Sequence, residues 1–565
     1  ANVRIQGLDG RYAQILKDGF PLYGGFSGSL SIMQIPPLDL RQVEYIKGSA
    51  STLYGGGAIS GVINLVSKEP VPEENLFHIN ASHIGAFDVN VFASRRINKI
   101  GLTILAQRNA HRYFDADKDG FTDLPELTKY NFNPKLFFFI NERTKLTAGA
   151  TFTTETRTGG DIFLLKNNNP WYLHYYRERN DVNRITTQLK FDHRFSETNS
   201  IAVRNSYNYF YRKLALSYAP FEPEYLFGGH QYSSFSEIAF TNRKTTAVFV
   251  TGLNFYIDEF HETRYTTWFR RDEKIWTAGA FAQYTRDLGK KVAIEAGLRA
   301  DYVLDDKLFV LPRLFTLFKW TDKLTSRIGG GLGYRNPTIF NQESELHGYR
   351  NILPITIRPV EAEESYGASA DVGFKTPLGK NVFLHINQMF FFTHLKNPLV
   401  PVSSPTVYNA IEFMNANGNT ISQGLETFFK LGFYDFVLFA GYTFTNVTNT
   451  FSGVSQEFTL TPKHSLKGDL LYALPGKWRI GADYEYKSSQ LLSNGTRTPE
   501  YWTFGFVCER TIRNFVLFGN VENFTNVRQT NFDSLVSAPF GTPQYTEVWS
   551  PLDGIVFNAG IKVRL

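Results

Sequence analysis

The sequence predicts a large antiparallel β-barrel that spans a membrane, and three observations carry that prediction. Aromatic residues make up 16% of the 565 residues, with Phe 51 and Tyr 30, yet the mean hydropathy is -0.24. No stretch approaches the roughly eighteen continuous apolar residues of a transmembrane helix. The apolar runs Leu136–Ile140, Met389–Phe392 and Phe436–Ala440 are only as long as strands. From about Asn75 onward the chain repeats one unit: two alternating strands, a short polar turn, then a longer connection. That is how outer-membrane strands alternate between lipid and lumen.

The short turns read at Ile97–Ile100, Asn141–Thr144, Ser196–Asn199, Asn242–Lys244 and Asp287–Lys290. Others fall at Thr321–Lys323, Pro377–Lys380, Phe433–Asp435, Pro475–Lys477 and Thr511–Arg513. Ten such turns, with both barrel ends on the short-turn side, imply 22 strands. A barrel that wide needs a plugged lumen. The last strand shows the alternation: Phe557, Ala559, Ile561, Val563 and Leu565 point one way, Asn558, Gly560, Lys562 and Arg564 the other.

Ahead of the barrel, residues 38–70 read LDLRQVEYIKGSASTLYGGGAISGVINLVSKEP. The glycine run is superficially like a phosphate-binding loop, but a strand follows it where that motif needs an amphipathic helix. The segment closely resembles the end of the plug domain of TonB-dependent outer-membrane receptors, with its "VE…K/RG…YG…A…G-x-I-N" pattern. Val3–Leu8 and Ile15–Gly19 resemble two further plug strands of that family. Gln6 and Lys17 depart from the family boxes without removing the glycine each turn needs. The resemblance implies residues 1–70 as the C-terminal part of a plug and 71–565 as the 22-stranded barrel. It also implies earlier plug strands and a TonB box ahead of Ala1, where no signal peptide is found.

What the resemblance implies for function is TonB-dependent active transport of a scarce nutrient across the bacterial outer membrane. Energy would come from the TonB–ExbB–ExbD complex. A ferric siderophore is the first expectation for the small-molecule metal chelate, with haem or cobalamin as alternatives. A passive porin or structural surface barrel is the competing class, and a plug argues against it. Outer-membrane lipid is the expected surround, and a surface lipoprotein a further expected partner.

In the resembled family, haem is ligated by a histidine between two boxes flanking an external loop. Here Gly333–Pro337 and Ile357–Ser365 resemble those boxes, and His347 lies between them. Asn336 and Ala362 depart from the boxes, which weakens the haem reading. Family plugs are locked by basic residues against barrel glutamates, which nominates Arg4, Arg41 and Lys47 opposite Glu361, Glu363 or Glu364. Substrate sits between plug apical loops and barrel loops, which nominates Tyr23 and Phe26 in Leu22–Gly28. Trp171, Tyr172, Tyr225, His230, His347 and Tyr349 would close from above. Rigid aromatics with a few polar tips suit a large, partly apolar ligand, although an interfacial girdle claims some of them.

One further motif carries chemistry by itself. Asp115, Asp117, Asp119, Gly120, Phe121, Asp123 and Glu126 fit the calcium-loop template. Hard Ca²⁺ takes six to eight oxygens, and these positions would supply carboxylates plus the Phe121 carbonyl. No amphipathic helices flank the loop, so its role would be a staple for an external loop. The alternative is a solvated acidic loop.

Other classes find little support. The single cysteine, Cys508, excludes an intramolecular disulfide and a thiolate metal cluster. With only 3 Met and that cysteine, a Cu(I) receptor is disfavoured. Lysine and arginine are scattered through a chain of net charge +6, which does not make a nucleic-acid patch. No HExxH, GxSxG or Walker motif appears and the 11 histidines are dispersed, so no enzyme is expected.

Overall fold

The computed structural model describes residues 4–22, 24–28, 34–49, 51–167, 174–218, 222–264, 269–304, 307–537 and 542–565. The N-terminal residues form a four-stranded sheet in the order 20–21, 13–17, 61–67, 40–47. Strand Ala13–Lys17 runs parallel to Gly61–Ser67, which is antiparallel to Leu40–Lys47. The β-rich run Val62–Val66 is therefore a central strand, and the run Val43–Ile46 forms the edge of the sheet, with Val43 and Tyr45 exposed.

Glycine explains the tight pairing. A side chain at Gly61 would collide with the backbone of Ile46. The Asp18–Gly19 turn has both residues at positive φ, 56° and 82°. Of the expected strand Val3–Leu8, the described residues 4–8 form a turn instead. Gln6 and Gly7 adopt φ of 55° and 73°, and only an isolated bridge joins Ile5 to Leu8. Two consecutive left-handed residues cannot continue a strand.

After the connection 68–72, the first barrel strand begins at Glu73 and runs to Ser82. Twenty-two antiparallel strands follow one another around a closed wall, and Val556–Arg564 pairs with that first strand to seal it. The short strand Val454–Glu457 folds back on Phe436–Phe451 outside this count. All ten expected short turns are present on one end. Among the described residues no helix is long and apolar enough to cross a membrane.

Alternation sets the two faces. On Glu126–Asn141, Tyr130, Phe132 and Leu136 are exposed outward, while Asn131, Asn133 and Lys135 are buried inward. Strand length is uneven around the wall. Arg177–Arg194, Asn199–Ser217, Tyr225–Lys244 and Ala247–Arg264 have 18 to 20 residues. Trp478–Lys487, Phe515–Glu522 and Val556–Arg564 have 8 to 10. An outward hairpin, Leu399–Ser403 with Ile411–Asn415, stands in the eighth long connection.

Candidate functional site

The plug sheet is fastened to the barrel wall by ion pairs and by backbone. Asp18, in the plug turn, pairs with Lys135 of strand Glu126–Asn141, and Lys135 Nζ also donates to Ser67 Oγ at 2.8 Å. Burial pushes the Asp18 carboxyl up, but the Lys135 ammonium and the Ser67 N–H outweigh it and hold it below the usual carboxylate range. Glu69 accepts from Lys145 at 2.8 Å. Glu363 accepts from the Tyr12 hydroxyl at 2.8 Å and lies 3.5 Å from the Arg11 guanidinium. Lys47 pairs with Glu426.

At its outer edge the plug ends in an aromatic knot. Phe26 is fully buried, with ring centroids 4.8 Å from Phe260, 5.3 Å from Phe340 and 5.5 Å from both Phe210 and Phe227. Three elements meet there: the plug turn Gly25–Gly28, the tall wall strands, and the connection 336–362. Polar bonds fix the same turn. Ser27 donates its N–H to Gln231 at 2.7 Å, and Arg184 donates to Ser27 O at 3.1 Å. Below the connection, the Arg271–Glu262 pair is wholly buried, and Arg271 donates to Tyr349 O at 2.7 Å.

Beside the plug, the tall wall and the sheet enclose a chamber of about 1460 Å³. It reaches from Tyr501 and Trp549 at the long-connection end to Lys135 and Lys145 near the short turns. Arg204, Glu237, Asp258 and Arg299 line its barrel side, and Gln14, Glu44 and Asn64 its plug side. Charges of both signs thus face this space.

A second arrangement stands outside the wall. The bridge Phe114–Leu124 closes an acidic loop whose carboxylates cap its own backbone. Asp115 accepts from Lys118 N at 2.6 Å, and Asp123 accepts from Ala116 N at 2.7 Å. Oxygens of Asp115, Asp117 and Asp123 lie within 4.8 Å of one another. Burial, then the crowding of neighbouring carboxylates, pushes Asp123 up to about 6. Burial likewise raises Asp115 and Asp119.

A family model described as "TonB dependent receptor-like, beta-barrel" matches residues 120–524, and one for the TonB-dependent receptor plug domain matches residues 1–62. The chain belongs to the TonB-dependent receptor family. It is an outer-membrane receptor, with its short turns on the periplasmic side and its long connections outside. Among solved structures, the ferric-catecholate import receptor Fiu of E. coli K12 is similar at 14% identity and a TM-score of 0.75, over 100% of this chain and 90% of that one. The ferripyoverdine receptor of Pseudomonas aeruginosa matches at 13% and 0.76, over 100% and 81%. The copper transporter OprC matches at 15% and 0.80, over 100% and 93%. Such identities speak for the fold alone.

The receptor places the nominated residues unevenly. Glu363 takes Arg11 and Tyr12, not Arg4, Arg41 or Lys47. Arg4 donates to the Leu460 carbonyl at 2.8 Å and to Thr461 Oγ1 at 2.7 Å, and Arg41 is exposed with no carboxylate partner among the described residues. Glu364 pairs with Lys307, and the exposed Glu361 accepts from Asn397 at 3.4 Å.

Of the nominated ligand contacts, Phe26, Tyr225 and Tyr349 are buried in the knot, and the Tyr225 hydroxyl donates to Tyr349 O at 2.8 Å. They hold the plug to the wall instead of presenting free faces. His230 lies in strand Tyr225–Lys244, not in a loop, and bonds to Tyr209 at 2.7 Å. His347 caps the short helix Gln342–Leu346, is exposed, and does not line the chamber. Tyr23, Trp171 and Tyr172 lie outside the described residues.

In the acidic loop, three of the six positions converge. Asp119 turns back to accept from Phe121 N at 2.8 Å, Phe121 is buried, and Glu126 opens the next strand opposite Thr158. The chamber residues Arg204, Glu237, Asp258 and Arg299 were missed. Their signal was present as polar residues at alternate positions, as in Arg204, Ser206 and Asn208, which marks an inward face.

Proposed function

We propose that this receptor imports a ferric siderophore, with the TonB complex driving the plug rearrangement that lets the chelate pass. The observation that carries the reading is the chamber. It is walled by charged and hydrogen-bonding groups, Arg204, Glu237, Asp258 and Arg299 among them. Those are surfaces that a polar chelate with charged or amide groups would meet. Two of the similar structures are a ferric-catecholate receptor and a ferripyoverdine receptor, which agrees with this choice. Haem ligation by His347 is disfavoured because that side chain stands away from the chamber.

The deciding experiment offers iron chelates, haem and cobalamin separately to a strain lacking this receptor and carrying it on a plasmid. Growth on at least one siderophore-bound iron source, absent from the empty vector, is expected. Rescue only by haem or only by cobalamin would replace the siderophore assignment.

We further propose that the acidic loop holds Ca²⁺. The convergent carboxylates of Asp115, Asp117 and Asp123 are hard oxygen ligands, and a cation would relieve their mutual repulsion. Asp119, the Phe121 carbonyl and Glu126 would join only after a local rearrangement.

A further inference from the structure

A second cleft, of about 530 Å³, opens at the periplasmic rim between the turns at Asn98–Lys99 and Glu142–Arg143. Arg96, Lys99, Arg143, Lys145 and Arg194 line it, against only Glu142 and Asp192. Arg96 lies over the Phe139 ring at 3.7 Å, and Arg194 donates to the Glu142 backbone carbonyl, so neither cation is neutralised there. Asp192 is engaged by Lys190 at 3.3 Å. Among the described residues, Lys99 and Arg143 have no carboxylate partner.

Position matters as much as charge. By alternation Arg96, Lys145, Asp192 and Arg194 share the inward face with Asn90, Ser94 and Lys190, so the cleft faces the lumen and periplasm, not lipid. Lys145 lines both this cleft and the chamber, and it donates to Glu69 of the plug at 2.8 Å. The wider charge pattern agrees. Nine of the ten short turns carry or abut a lysine or arginine, the exception being Phe433–Phe436.

We propose that this cleft is an anion site at the exit of the receptor. It receives a negatively charged iron chelate that has passed the plug, and the Lys145–Glu69 pair is the barrier between chamber and cleft. The proposal rests on the siderophore reading and narrows it to an anionic chelate. Exposed cations bind weakly in water, which suits a station that must let its occupant go.

The test uses the full receptor and a Lys99→Gln/Arg143→Gln variant, whose substitutions lie on exposed rim positions. Calorimetry with inorganic pyrophosphate, a small multiply charged anion, should show a weak site in the unaltered receptor and at least about threefold weaker binding in the variant. Iron uptake from the chelate that supports growth should fall in maximal rate with its KM unchanged. Absence of the pyrophosphate site, or equal binding by both proteins, would overturn the proposal. So would lost binding with unaltered uptake, which would mark an adventitious anion site only. Slowed uptake without pyrophosphate binding would instead assign the cleft to an acidic segment of a periplasmic partner. Failure of every iron chelate to support growth would defeat the siderophore reading, a result separable from the calorimetric one.

Discussion

At Asp18, one carboxylate joins a plug turn, the last plug strand and the barrel wall. It accepts from Ser67 N at 2.7 Å and from Lys135, whose side chain is 8% exposed. Removing one partner of a pair this enclosed strands the other charge, so Asp18→Asn should cost roughly 3 kcal/mol in plug anchoring. Limited proteolysis of the plug in the purified receptor should register that loss, and unchanged protection would refute it. Because Asp18 is held below its unfolded value of about 3.9, its stabilising contribution is complete above that value and disappears as pH falls through the lower folded one. Proteolytic protection should therefore be flat from about pH 5 to 8 and weaken only below about pH 4. At this scale, the sequence disclosed chemical type better than pairing. Glu363 was recognisable from its motif, but its partner Arg11 was not, since the pair joins residues more than three hundred positions apart through a register that only the closed barrel creates.

Elements behaved differently according to whether period or contact defines them. The strands were legible because a two-residue alternation survives in every one of them, and the short turns because polar residues interrupt it. Tyr225 and His230 read as loop residues for the same reason: membrane crossing needs about 9–11 residues, whereas Tyr225–Lys244 continues for 20. Its outer half then looks like a loop when length alone is used. The knot at Phe26 could not be read at all, as its rings come from plug, wall and outer connection. Phe26→Ala should cost about 3–5 kcal/mol in holding those three together. Hydrogen exchange in 24–28 and 342–349 should rise together; a rise confined to the plug would show that the connection holds by itself. In the acidic loop, Asp117→Ala with Asp123→Ala should abolish calcium binding seen by calorimetry at millimolar concentration and speed exchange in 115–124. No heat in the unaltered receptor would leave it a solvated acidic loop.

Taken whole, the molecule is a wall of unequal height. All strands start from one level at the short turns, but those from Arg177 to Arg264 outrun Phe515–Glu522 and Val556–Arg564 by about ten residues. At roughly 3.3 Å per residue and a tilt near 40°, the tall side stands about 25 Å higher. The rim is therefore cut obliquely, like a quill. Over the low strands the connection 523–555 folds back on its neighbours, with Trp549 packed on Tyr501 and Arg528 donating to Ala116 O. Whatever binds this receptor from outside, antibody or phage, then meets rigid strand on one side of the mouth and folded connection on the other.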